Sequence, residues 1–106
     1  MSASKAYCEA VKAQLSPFMP VTSRAMFGGY GLYNDGVIFA LITSDDTLHF
    51  KVDDSNRAIY EDAGLQRFHN MPYYQVAPDW YDDPEKLYAM AQQSIEISRK
   101  TKKKKK

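Results

Sequence analysis

The sequence predicts an α+β fold of two layers, an antiparallel sheet with its helices gathered on one face. Two observations carry this. Helical periodicity marks both ends of the chain, and the stretch from Val21 to Lys51 reads as a β-meander broken by turn signals. The 106 residues fit one domain, large enough to bury a modest core without cross-links.

The elements follow in order. Residues 2–15 form a helix that Ser2 or Ser4 can cap, with Tyr7, Val11 and Leu15 recurring every fourth position. Pro17 ends it, because proline disfavours helical backbone in the residue before it. One strand runs from Thr22 to Tyr33, bent at Gly28-Gly29, and Asn34-Asp35-Gly36 then turns the chain. Val37–Ile42 is almost continuously apolar, as expected of a central strand. After a turn at Ser44-Asp45-Asp46, Thr47–Val52 alternates buried Leu48, Phe50 and Val52 with solvent-facing His49 and Lys51. Asp54 or Ser55 starts a short helix over 55–63 and Gly64 closes it. Residues 65–76 read as a short, imperfect hairpin around His69-Asn70-Met71-Pro72. The last helix has Asp83 at its cap, Pro84 in its first turn and a stripe of Leu87, Met90, Ala91, Ser94 and Ile95. The order is α-β-β-β-α-β-β-α, and the outer sheet face has room for a partner or a second copy.

Charge divides the chain in two. Residues 99–106 hold Arg99, Lys100 and Lys102, Lys103, Lys104, Lys105 and Lys106, seven of the fourteen basic residues. Residues 1–98 therefore carry seven basic groups against thirteen acids, a net of −6. The expected organisation is a domain over 1–98 followed by a basic, disordered lysine tail over 99–106. Two readings of the tail stand: a solvated terminus, or a non-specific nucleic-acid contact made through phosphates. A single cysteine, Cys8, excludes an internal disulfide, and a small domain without one suits the cytoplasm. No apolar run is long enough to cross a membrane, so no membrane partner is expected, and the first residues show no secretion signal.

The run Gly28-Gly29-Tyr30-Gly31 invites a phosphate-binding reading, which fails on three counts. The third glycine of a dinucleotide fingerprint is missing, Val37-Ile38 stand where a phosphate loop needs lysine and a hydroxyl, and a strand follows where a helix N-terminus is required. The glycines read instead as a bend that aromatic side chains surround. His49 and His69 have no carboxylate or cysteine at ligand spacing, and the paired aspartates lie at turns and helix starts. No catalytic arrangement, metal site or cofactor is expected. Tyr73-Tyr74 and Trp80-Tyr81 concentrate aromatic surface, either as core or as anchors for a partner, with one of the two adjacent tyrosines exposed.

Arg24, Met26, Phe27, Gly28, Gly29, Tyr30, Gly31, Leu32 and Tyr33, followed by Asp35-Gly36 and Phe39-Ala40-Leu41, resemble the signature of the TfoX (Sxy) N-terminal domain family. Further matches run through Leu48–Asp53, Ala63-Gly64, Tyr73-Tyr74, Val76 and Asp83, so the resemblance covers residues 5–98. It implies a small α+β domain of secretion-chaperone-like architecture, in a group that often dimerises. It also implies a non-enzymatic regulator of competence for DNA uptake, acting beside the cyclic-AMP receptor protein at competence promoters. Two departures mark this sequence. A lysine run follows residue 98 where the named regulators carry a second helical domain, and the segment between Phe68 and Tyr73 is shorter than in relatives.

Overall fold

Five antiparallel strands lie in the sheet in the order in which the chain makes them: β1 (Thr22–Met26), β2 (Gly29–Asn34), β3 (Val37–Ile42), β4 (Leu48–Lys51) and β5 (Tyr73–Gln75). Helix α1 (Lys5–Leu15) precedes them, α2 (Arg57–Asp62) separates β4 from β5, and α3 (Pro78–Tyr81) and α4 (Pro84–Lys104) follow. The computed structural model describes residues 5–26, 28–68 and 71–104, with backbone alone for 101–104.

Local chemistry explains most of the boundaries. Asp35 and Gly36 take φ of 53° and 78°, the left-handed pair that a two-residue turn between β2 and β3 requires. In the next turn the Asp46 amide donates to the Thr43 carbonyl at 2.9 Å and the Thr43 hydroxyl donates to Asp45. Gly64 closes α2 with φ of 75°, its amide donating to Glu61 while Leu65 donates to Tyr60, both at 3.0 Å. At the start of α4 an oxygen of Asp83 accepts from the Lys86 amide at 3.4 Å, with Pro84 in the first turn as expected.

One face of the sheet is dry. Register places Leu32, Ala40, Phe50 and Tyr74 in one row and Ile42 beside Leu48 in the next. These pack against Cys8, Val11 and Leu15 of α1 and against Leu87, Met90, Ala91 and Ile95 of α4. Between Leu32 and Tyr33 the register shifts by one, leaving Phe39 as a bulge residue whose ring joins the same core. Each fully buried Leu, Ile or Phe contributes roughly 1.5–3 kcal/mol. This is the two-layer α+β arrangement expected from the sequence, with β3 central.

Four details differ from the sequence reading. The segment 22–33 is two strands rather than one bent strand, because Met26 pairs with Gly29 and the chain reverses between them. Gly28 provides the left-handed residue of that turn, at φ 77°, and Phe27 lies outside the described residues. The hairpin over 65–76 is narrow: Arg67 bridges Tyr74, and Phe68 donates to the Tyr73 carbonyl at 2.8 Å. His69 and Asn70, at its expected tip, also lie outside the described residues. Pro78–Tyr81 forms a helical turn that no periodicity in so short a stretch could announce.

The fourth difference concerns the lysine run. Helix α4 continues through Lys104, past the expected domain limit at residue 98, while Lys105 and Lys106 lie outside the described residues. Lysine is a good helix former, and cations at a helix C-terminus are favoured by the backbone dipole. Arg99 belongs to the domain: its guanidinium donates to the Asn34 side-chain oxygen at 3.1 Å. The Asn34 amide nitrogen donates in turn to the Pro20 carbonyl at 2.8 Å, so one buried side chain joins the α1–β1 connection, the β2–β3 hairpin and α4. Replacing Asn34 with alanine removes both bonds, each worth about 0.5–1.5 kcal/mol, and a loss of about 1–3 kcal/mol is expected. In urea titrations the midpoint should fall with its slope unchanged.

Candidate interaction face

Strand alternation sends every second residue to the face away from the helices. Register puts Arg24, Gly31, Leu41, His49 and Gln75 in one row there, one residue from each strand. Three of the five, Arg24, Gly31 and Leu41, belong to the signature singled out in the sequence. Arg24 is exposed at the edge strand. Gly31 is buried beneath the side chain of another signature residue: a methyl group on it would lie 2.9 Å from Met26 Cε and 3.0 Å from Ile38 Cδ1. Gly29 meets the neighbouring strand itself, and Gly28 and Gly36 serve turns.

A groove of about 230 Å³ opens beside this row, lined by Met26, Tyr30, Leu41, Thr43 and Phe68 among others. Phe68 reaches it from the 65–68 arm, its ring 5.2 Å from that of His49. His49 was expected to face water, yet it is 4% exposed. The arm crosses over strand β4's polar phase, and strand alternation alone cannot reveal a cover that arrives from elsewhere in the chain. The His49 ring lies with Nδ1 3.1 Å from the Thr47 carbonyl, so Nδ1 carries the proton and donates. Burial pushes its pKa below the ordinary 6.5, with the Thr47 bond and Asp45 opposing.

The four aromatic residues grouped as possible anchors do not share a surface. Tyr73 and Tyr74 point to opposite faces as expected, but both are buried, at 5% and 7% exposure, which corrects the expectation of one exposed tyrosine. Tyr74 joins the core beside Tyr60. Tyr73 sits on the outer face under Lys51, whose ammonium is 5.5 Å from the ring. Burial, with Tyr33 nearby, pushes the Tyr73 hydroxyl up to about 12. Trp80 is half-buried, its ring edge-to-face with that of Tyr60 at 5.1 Å, and the Lys86 ammonium lies 5.6 Å from its centroid. Tyr81 stacks on Tyr7 at 6.2 Å, and its carbonyl accepts from Gln14 at 2.7 Å.

Among the basic residues of the run, Arg99 is held by Asn34, and Lys100 lies near enough to Asp53 to help the Ser55 hydrogen bonds keep that carboxyl low. Side chains from 101 onward lie outside the described residues. Among the described residues no three His, Cys, Asp or Glu side chains gather as metal ligands, and no helix is long and apolar enough to cross a membrane.

The profile of the TfoX N-terminal domain matches residues 13–98. The chain belongs to the TfoX N-terminal domain family. A relative, the DNA transformation protein TfoX1 of Aliivibrio fischeri (strain ATCC 700601 / ES114), is 31% identical over 84 residues, covering 72% of this chain and 40% of the relative. The chain therefore spans well under half of that relative's length. The matched region takes in all five strands and ends at Ser98, beside the arginine that ties α4 to Asn34. The family signature thus maps onto the edge and outer face of the sheet, apart from its contributions to turns and core.

The buried neutral His49 makes stability depend on pH. Between the ordinary value of 6.5 and the lower folded one, the unfolded chain binds more protons, so stability falls as pH drops through that window. Comparing urea midpoints at about pH 7.5 and 5.5 should show a larger acid loss in the native chain than in His49→Gln. Equal losses would contradict a neutral, buried imidazole.

Proposed function

We propose that this chain is a regulatory module of DNA uptake that works through protein contacts rather than catalysis. Family membership supports the competence setting, and the transformation-protein relative points the same way. The observation that carries the contact reading is the convergence of Arg24, Met26 and Gly31 on a sheet face that no helix among the described residues covers. An exposed guanidinium at an edge strand beside an apolar groove offers a charged and an apolar contact together. In this reading the module is cytoplasmic and acts with the transcription machinery beside the cyclic-AMP receptor protein, as one copy or as a homodimer. No cofactor takes part.

A second reading rests on the concentration of seven basic residues in 99–106, six of them lysines. Free lysines there would bind nucleic acid through phosphates, with affinity falling as salt rises, by a logarithmic slope of up to about −5 on duplex DNA. Mobility shifts at two salt concentrations, with and without Lys102–Lys106, separate this from the first reading.

The regulatory reading predicts that deleting the gene lowers transformation frequency and competence transcripts, and that a native copy restores both. An Arg24→Glu copy, altered at an exposed position, should fold normally and restore neither. Unchanged transformation and transcripts in the deletion strain would contradict it.

A further inference from the structure

The sheet has two edges, and the chain treats them differently. At β5 the 65–68 arm supplies a further run of backbone bonds. Phe68 donates to the Tyr73 carbonyl at 2.8 Å, Gln75 donates to the Gln66 carbonyl at 2.9 Å, and Arg67 bridges Tyr74 between them. At the other edge β1 pairs with β2 alone, and among the described residues no strand or bridge joins its far side. Antiparallel pairing turns the amide and carbonyl of alternate residues away from the neighbouring strand. Every second residue of Thr22–Met26 therefore presents both groups to the open side.

Arg24 stands at the middle of that edge and is exposed. Its cross-strand neighbour is Gly31, which has no side chain to offer, and Met26 lies over the glycine. Among the described residues no carboxylate forms an ion pair with Arg24. The guanidinium thus has one cross-strand position left, on the open side of β1. A second copy pairing its own β1 there about Arg24 would set arginine against arginine, and like charges directly opposite are destabilising. A carboxylate in the same place is attracted and accepts the guanidinium hydrogen bonds. Two residues along the same face, Met26 lines the groove with Tyr30 and Leu41, so an apolar side chain suits the position opposite it. Ser23 and Ala25, on the alternate phase, are small.

We propose that β1 receives an extended segment of a partner protein as a further strand, with an aspartate or glutamate opposite Arg24. An apolar residue two positions away in that segment faces Met26. Backbone bonds along the edge supply affinity, and the arginine–carboxylate pair selects the segment. The inference deepens the contact reading of this face and rests on it, but not on its competence setting. Transformation phenotypes test that setting, and binding in solution tests strand addition, so either can fail while the other stands.

The acetylated and amidated heptapeptide Thr-Val-Thr-Glu-Thr-Val-Thr, symmetric about its glutamate, presents this pattern to β1 in either direction. It is added at millimolar concentration to the full chain at physiological salt, where charges beyond about 8 Å are largely screened. The amide resonances of Thr22–Met26 should shift saturably, and hydrogen exchange should slow at alternate ones. Lysine in place of the peptide's glutamate should weaken binding about tenfold, an attraction exchanged for a repulsion. Arg24→Glu should reverse that order, so that the lysine peptide binds better. Proline in place of the two threonines beside the glutamate keeps the charge but not the strand, and should abolish binding. Absence of a saturable shift at β1, equal affinity for the two charged peptides, or an unchanged order in Arg24→Glu would each overturn the proposal. So would binding of the proline peptide, or β1 amides already protected by self-association before any peptide is added.

Discussion

Strands β2 and β3 approach so closely at Gly29 that a methyl group there would sit 1.9 Å from the Ile42 carbonyl oxygen. Backbone occupies the space, so no rotamer change can relieve such a clash, and only glycine fits without separating the strands. Much of the sheet hangs on that approach. Gly29 also pairs with Met26, so it fixes where β1 turns back along β2. With β1 in that register Met26 can lie over Gly31, and the Arg24 row forms across all five strands.

The same constraint explains why the glycine run gives no phosphate cradle. It joins two paired strands, so its backbone amides answer to a ladder rather than to a helix N-terminus. The sheet that results has unequal faces. Two long helices seal the inner one, while the outer one is shared among Met26, Leu41, Phe68 and a neutral histidine, with arginine at its edge. Contact through that outer face is the role proposed for a domain whose signature residues are spent on backbone geometry and on a partly covered surface.

Where one local rule determined the outcome, the sequence was legible. The α4 stripe, the Asp35-Gly36 turn, the Gly64 cap and the apolar central strand β3 all appear where helical period, left-handed tolerance and continuous hydrophobicity place them. What escaped was set by contacts between distant segments. His49 and Tyr73 look half-exposed by alternation, yet Phe68 and Lys51 close over them. The reversal at Gly28 was hidden because a bend and a turn use the same residue type, and only pairing tells them apart. Arg99 read as part of a charge run, but its partner Asn34 lies 65 residues earlier.

The most direct test is the unfolding free energy of Gly29→Ala beside that of Gly36→Ala, both by urea titration of the full chain. At Gly36 a methyl group meets nothing within 4 Å and bears only the left-handed φ of 78°, a cost of about 1–2 kcal/mol. At Gly29 the strands must part, and a loss of about 3 kcal/mol or more is predicted. A Gly29→Ala chain as stable as the native one, or no less stable than Gly36→Ala, would contradict the account that close backbone approach is what the signature glycine provides.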